Sequence, residues 1–142
     1  MSDPLPGLLA DALVAAARAA RAQAYAPYSR FAVGAAVLDA QGRIHAGANI
    51  ENAAYPQGLC AEAVALAQMV MAGGRQVRAV AVVGDAPSPV TPCGGCRQKL
   101  REFTADDVPV LIADLHAERA RYTFGQLLPA SFGPDHLRQE PP

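Results

Sequence analysis

An α/β layered domain is the fold class that this sequence predicts. Alanine-rich helical periodicity marks the N-terminal segment, and two later valine-rich runs are continuous enough to be buried on both faces. Helical and strand-like stretches alternate along the rest of the chain, which is how a layered α/β unit reads. With 142 residues, about half of them apolar, residues 1–142 are long enough for one domain with a sizeable core and have little room for a second.

The elements follow in order. Leu9, Leu13, Ala16 and Ala20 share a helical face over Leu8 to Tyr25, with Arg18 and Arg21 near the opposite side. Pro27 in "YAPYSR" ends that helix. "RFAVGAAVLDAQGRIHAGANI" holds two short strand-like runs around Gln41-Gly42, a hairpin turn signal. A second helix is predicted from Cys60 to Ala72, closed by Gly73-Gly74. "VRAVAVVGD" predicts a buried strand, Cys93 to Phe103 a third helix and "VPVLIAD" another buried strand. A weaker strand in "ERARYT" and a last helical turn in "FGQLLPASFG" complete the chain, and only its final few residues look disordered. There is no internal repeat.

A net charge of −1 with scattered basic residues leaves nothing to neutralise a phosphate backbone, so no nucleic acid is expected as a partner. The N-terminus carries an acid before its apolar stretch and arginines within it, the wrong order for a secretory signal. No run of apolar residues is long enough to predict a membrane span. The expected compartment is therefore the cytoplasm, where cysteines stay reduced and read as metal ligands or catalytic groups before disulfides.

Three cysteines are present: Cys60 in "GLCAEAV", and Cys93 and Cys96 in "TPCGGCRQ". A C-x-x-C at the start of a helix turns two sulfurs toward one point, and the partial positive charge of the first turn favours thiolate. If the Cys60 helix starts beside it, three sulfurs converge on one tetrahedral Zn²⁺, with a fourth position left for water, as in catalytic sites. Glu62, two positions after Cys60, does not share a helical face with it and is therefore a proton shuttle rather than a fourth ligand. The bland alternatives are buried structural thiols, a redox C-x-x-C protein, a structural-zinc interaction module and a glutamate that merely complements the helix dipole. His45, His116 and His136 lack local partners at ligand spacing and read as surface or incidental residues.

At these residues the sequence resembles the cytidine deaminase family, in its small three-cysteine form. Zinc deaminases carry an H-x-E…P-C-x-x-C signature in which Cys can take the first ligand position. The resemblance spans nearly the whole chain, through "YSRFAVGAAV", "GANIENAAYP", "CAEA", "PCGGCRQ" and "LLPASF". It implies a three-layer α/β/α cytidine-deaminase-like fold with a central mixed sheet of about five strands, and a homotetramer with active sites shared between subunits. It also implies one Zn²⁺ per subunit on Cys60, Cys93 and Cys96, with Glu62 as the catalytic carboxylate that also reads N3 of the base. Asn49 and Glu51 match the ribose-binding pair, Phe31 the aromatic along the nucleoside, and Phe132 one that reaches a neighbouring subunit's base. Tyr55 resembles a residue near the intersubunit site, and backbone near Ala61 and Pro92 lies around the exocyclic amine.

The implied reaction is hydrolytic deamination of cytidine and deoxycytidine to uridine and deoxyuridine in pyrimidine salvage. The runner-up substrate is another aminonucleoside, of the blasticidin type. One departure stands out: three-cysteine members often carry Arg directly after C-A-E, where this chain has Ala63. Something else must then offset the thiolate charge, and the two helix N-termini and Arg97 are the candidates.

Overall fold

The computed structural model describes residues 4–138. The final four residues, where the sequence suggests disorder, lie outside that range. Helix α1 spans Gly7–Arg21, strands β1 and β2 span Val33–Asp39 and Ile44–Ala48, and helix α2 spans Ala61–Met71. Strand β3 (Val77–Gly84), helix α3 (Gly94–Arg101), strands β4 (Pro109–Ala113) and β5 (Glu118–Thr123) and the short helix α4 (Phe124–Leu127) follow. The sheet runs β2-β1-β3-β4-β5, with β3 and β4 parallel and the other pairs antiparallel, so it is mixed.

Side chains alternate across the sheet and so build two cores. Ala36, Leu38, Ala79, Ala81, Val83 and Leu111 face one side and pack with Leu13, Val14 and Ala17 of α1. Ala35, Val37, Val80, Val82, Val110 and Ile112 face the other side and pack with Ala65, Leu66 and Met69 of α2 and Leu100 of α3. The three layers are thus α1, sheet, and α2 with α3. Small residues set the spacing: a Cβ on Gly47 of β2 would lie 2.6 Å from the Ala65 backbone nitrogen, so α2 seats directly on the hairpin. The hairpin turn is where the sequence puts it, with Gly42 at φ +83°.

Helix α1 stops at Arg21, four residues before the predicted end at Tyr25. Tyr25 is drawn instead into pairing with the segment after β2, its N–H donating to Asn49 O at 3.0 Å while its carbonyl accepts from Glu51 N at 2.8 Å. Strand β5 is an edge, and its exposed Glu118–Arg121 ion pair at 2.7 Å blunts that edge with charge. Among the described residues no helix is long and apolar enough to cross a membrane.

His45 is not incidental, which corrects the reading from sequence. Its Nε2 lies 2.8 Å from Oδ2 of Asp39, a fully buried carboxylate that also accepts from Arg43 Nε at 2.8 Å and from the Gln41 and Arg43 backbone N–H groups. Arg43 continues the network to the C-terminal end of α2, donating to Ala72 O at 2.8 Å. Burial alone would raise the Asp39 carboxyl, but the His45 contact, then the Arg43 and Gln41 hydrogen bonds, hold it down at about 2.

A depressed folded-state pKa contributes stability above the unfolded value near 4 that is lost as pH falls toward 2, here about 2 kcal/mol. Urea denaturation of wild type and Asp39→Asn should therefore differ in pH dependence. Wild type is expected to lose about 2 kcal/mol more than the variant between pH 6 and pH 2.5. Parallel profiles would mean that the Asp39 carboxyl titrates alike in the folded and unfolded chain, which would overturn its depressed value.

Candidate active site and metal centre

Helices α2 and α3 begin side by side on one face of the sheet, and each begins at a cysteine. Cys60 and Cys93 are the N-cap residues of α2 and α3, both in extended conformation, and Cys96 lies in the first turn of α3. The three Sγ atoms lie within 4.8 Å of one another. A tetrahedral ion with bonds of about 2.3 Å to sulfur needs its ligands about 3.8 Å apart, so this donor set fits Zn²⁺.

The electrostatics fit as well. Burial, then the Glu62 and Cys60 charges, push the Cys96 thiol far up, and burial with Cys93 and Glu62 nearby raises Cys60. Cys93 is instead lowered, first by the backbone N–H of Cys96, which is the helix N-terminus acting directly on sulfur. Three sulfurs at such short range stay ionised together only beside a cation, and a divalent, sulfur-tolerant one matches them.

Glu62 is almost wholly buried at the start of α2. Burial raises its carboxyl, opposed by its own backbone N–H, the Lys99 charge and the Cys96 thiol. Lys99 is a nearby cation that no pattern in the sequence singles out. Glu62 lines a cavity of about 390 Å³ together with Phe31, Asn49, Glu51, Cys60, Ala61 and Cys93. Residues from three separate stretches, 31, 49–51 and 60–62, thus meet the C-x-x-C at one concavity.

The rim of that cavity is tied together by groups that the sequence did not flag. Glu51 Oε1 accepts from the Tyr28 and Ser29 backbone N–H groups at 2.9 and 3.0 Å, and its Oε2 accepts from the Ser29 hydroxyl. These contacts, the Ser29 hydroxyl first, hold the Glu51 carboxyl below its usual range. Asn49 bridges Phe31 and Val33, donating to Phe31 O at 2.8 Å and accepting from Val33 N at 2.9 Å. The loop before β1 therefore takes its shape from Asn49 and Glu51, and Arg30 in it adopts a left-handed φ of 58°. Serine and glutamate 22 residues apart carry no sequence signal of contact. Val90 and Thr91 also line the cavity and were likewise unforeseen.

Other predicted site residues lie outside this wall. Tyr55 lines an adjoining cavity of about 310 Å³ with Tyr28, Ser29 and Glu51, and packs 5.6 Å from the Tyr28 ring. Phe132 stands on the surface beside α3, one ring face stacked at 5.2 Å on His136, which is itself exposed as expected. His116 is exposed, as expected. Arg97 donates to Pro92 O at 2.7 Å, Leu127 O at 2.6 Å and Thr91 Oγ1 at 3.0 Å, fastening the loop before Cys93 to α4. All three cysteines are free.

Comparisons with known proteins agree with this geometry. The family described as "Cytidine and deoxycytidylate deaminase zinc-binding region" matches residues 9–112. A protein named cytidine deaminase from Sporosarcina psychrophila is 44% identical over 127 residues, 89% of this chain and 93% of its own length. Another from Halalkalibacterium halodurans is 46% identical over 120 residues, 84% of this chain and 91% of that protein. The crystal structure of cytidine deaminase from Burkholderia pseudomallei superimposes with a TM-score of 0.81 at 42% identity, covering 86% of this chain and 98% of that one. The three-sulfur centre, the buried glutamate beside it and these matches over most of the chain together place the protein in the zinc-dependent cytidine and deoxycytidylate deaminase family.

Proposed function

We propose that this protein catalyses the hydrolytic deamination of cytidine and deoxycytidine to uridine and deoxyuridine, releasing ammonia, as a cytoplasmic enzyme of pyrimidine salvage. The carrying observation is that Cys60, Cys93 and buried Glu62 line one cavity, with the sulfur of buried Cys96 within 4.8 Å of the other two. Zn²⁺ held by the three sulfurs would supply Lewis acidity that makes water nucleophilic near neutral pH. Glu62 accepts one proton as the water oxygen bonds to C4 and delivers it to N3 of the base. It then takes the proton of the new C4 hydroxyl and passes it to the amine, which leaves as ammonia when the C4–N bond breaks. Its burial supports that role, because a shielded carboxyl gives up and takes back protons within one site.

Asn49 and Glu51 receive the sugar, Phe31 flanks the nucleoside, and backbone at Ala61 and Pro92 meets the exocyclic amine. Arg97 sits one residue from Cys96 and adds positive field to the thiolate cluster while its hydrogen bonds hold it in place. The helix N-terminus already seen at Cys93 contributes in the same sense.

A nucleoside is favoured over a nucleotide. Among the described residues lining the two adjoining cavities none is Lys or Arg, whereas Glu51 borders both and would repel a phosphate. Steady-state assays on cytidine, deoxycytidine, deoxycytidylate and a blasticidin-type aminonucleoside should show turnover of the first two. Efficient turnover of either of the others instead would overturn the assignment.

The same reading includes a homotetramer with shared sites. Ile50, Tyr55, Leu59 and Phe132 are exposed apolar residues, and their exposure supports burial against another subunit. Mixing Glu62→Ala subunits with Phe132→Ala subunits should restore activity, because hybrids contain sites with both residues intact. Verified hybrids that remain inactive would count against an intersubunit role for Phe132.

A further inference from the structure

The segment after α4 is clamped to the helix that carries Cys96. Gln98 Nε2 donates to Phe132 O at 2.9 Å, and Arg101, one turn further along α3, donates through Nε to Ser131 Oγ at 2.9 Å and through Nη2 to Asp135 Oδ1 at 2.7 Å. The Pro134–His136 turn closes on itself, with His136 N donating to Gly133 O at 3.0 Å and Gly133 N donating to His136 Nδ1 at 3.0 Å. That turn places the imidazole against one face of the Phe132 ring, nearly parallel at 13°, while Phe132 remains 57% exposed. A surface aromatic fastened by its backbone and backed on one face has its other face ready for a second ring.

We infer that Arg101 is a positioning residue for substrate binding: by fixing the Ser131–His136 turn it holds Phe132 as a pre-formed stacking face for a pyrimidine base in a neighbouring active site. This rests on the reading of Phe132 given above. Without the clamp, the ring must be ordered when substrate binds, and immobilising one such side chain with its turn weakens binding by about 3- to 10-fold. Arg101 touches neither the sulfurs nor Glu62, so the cost falls on KM rather than kcat.

The test compares Phe132→Ala, Arg101→Ala, Arg101→Lys and Gly133→Ala with cytidine as substrate. Gly133→Ala attacks the clamp from the tail side, because its Cβ would lie 2.3 Å from the Arg101 guanidinium carbon and must displace it. It also serves if Arg101→Ala fails to fold. Phe132→Ala should raise KM about tenfold. Arg101→Ala and Gly133→Ala should raise it about 3- to 10-fold, with full zinc content and kcat within about twofold of wild type. Hydrogen exchange at the Gly133, His136 and Leu137 amides should accelerate in both.

Arg101→Lys keeps a charged donor for Asp135 and should recover part of the loss. Adding Arg101→Ala to Phe132→Ala should raise KM no further, which a merely structural role would not produce. Additive effects, or an unchanged KM in Arg101→Ala and Gly133→Ala while Phe132→Ala is impaired, would overturn the positioning role alone. An unchanged KM in Phe132→Ala would overturn the reading of Phe132 and the inference with it.

Discussion

Glu62→Ala is expected to keep one Zn²⁺ per chain and lose at least about 100-fold in kcat, the typical contribution of a positioned proton-transfer group. The three sulfurs that hold the metal come from Cys60, Cys93 and Cys96, so the carboxylate can be removed without removing a ligand. The fold should also survive. Glu62 is buried against its desolvation preference, and deleting a buried charge relieves that cost. Glu62→Gln is the closer probe, because it preserves shape and hydrogen-bonding capacity but cannot shuttle a proton. Zinc analysis of both variants, alongside the loss of cytidine absorbance, separates the two roles. Near-normal turnover in a zinc-loaded Glu62→Gln chain would remove the proton shuttle from the mechanism.

Cysteine substitution should have the reverse order of effects, with metal lost first and activity lost as a consequence. A complete zinc site is worth about 10–16 kcal/mol, so each ligand carries on the order of 3 kcal/mol, or about 100-fold in affinity. Cys96→Ala should be the most severe of the three, because Cys96 alone is fully buried and its loss opens a cavity in the first turn of α3 as well. Zinc that binds only the folded chain also stabilises it. Wild type should therefore show a chelator-dependent fall in Tm, and Cys96→Ala should show almost none. Tight stoichiometric zinc in each of the three variants would place the metal elsewhere.

The sequence by itself determined most of the architecture and the chemical core of the site. Valine-rich runs too continuous for one wet face mark β3 and β4, and Gln41-Gly42 between two short runs marks the β1–β2 hairpin. Cys60 and Cys93 at the starts of two predicted helices announce the metal centre, because ligand identity and spacing along a helix are local properties. What local pattern does not encode is which distant polar groups meet. Helix α1 ends at Arg21, and Tyr25 takes its backbone partners from the segment after β2, which lies far along the chain.

The Asp39–His45 contact arises because the hairpin register brings both to one end of the sheet, where a buried carboxylate must be satisfied. Ser29 with Glu51, Arg97 with Leu127, and Arg101 with Asp135 are joined only after the layers pack. Hydrophobic periodicity repeats every few residues and is legible in one dimension. Hydrogen-bond partners 20 to 35 residues apart are chosen by desolvation once the sheet and helices have brought them together, and only the tertiary structure makes that choice.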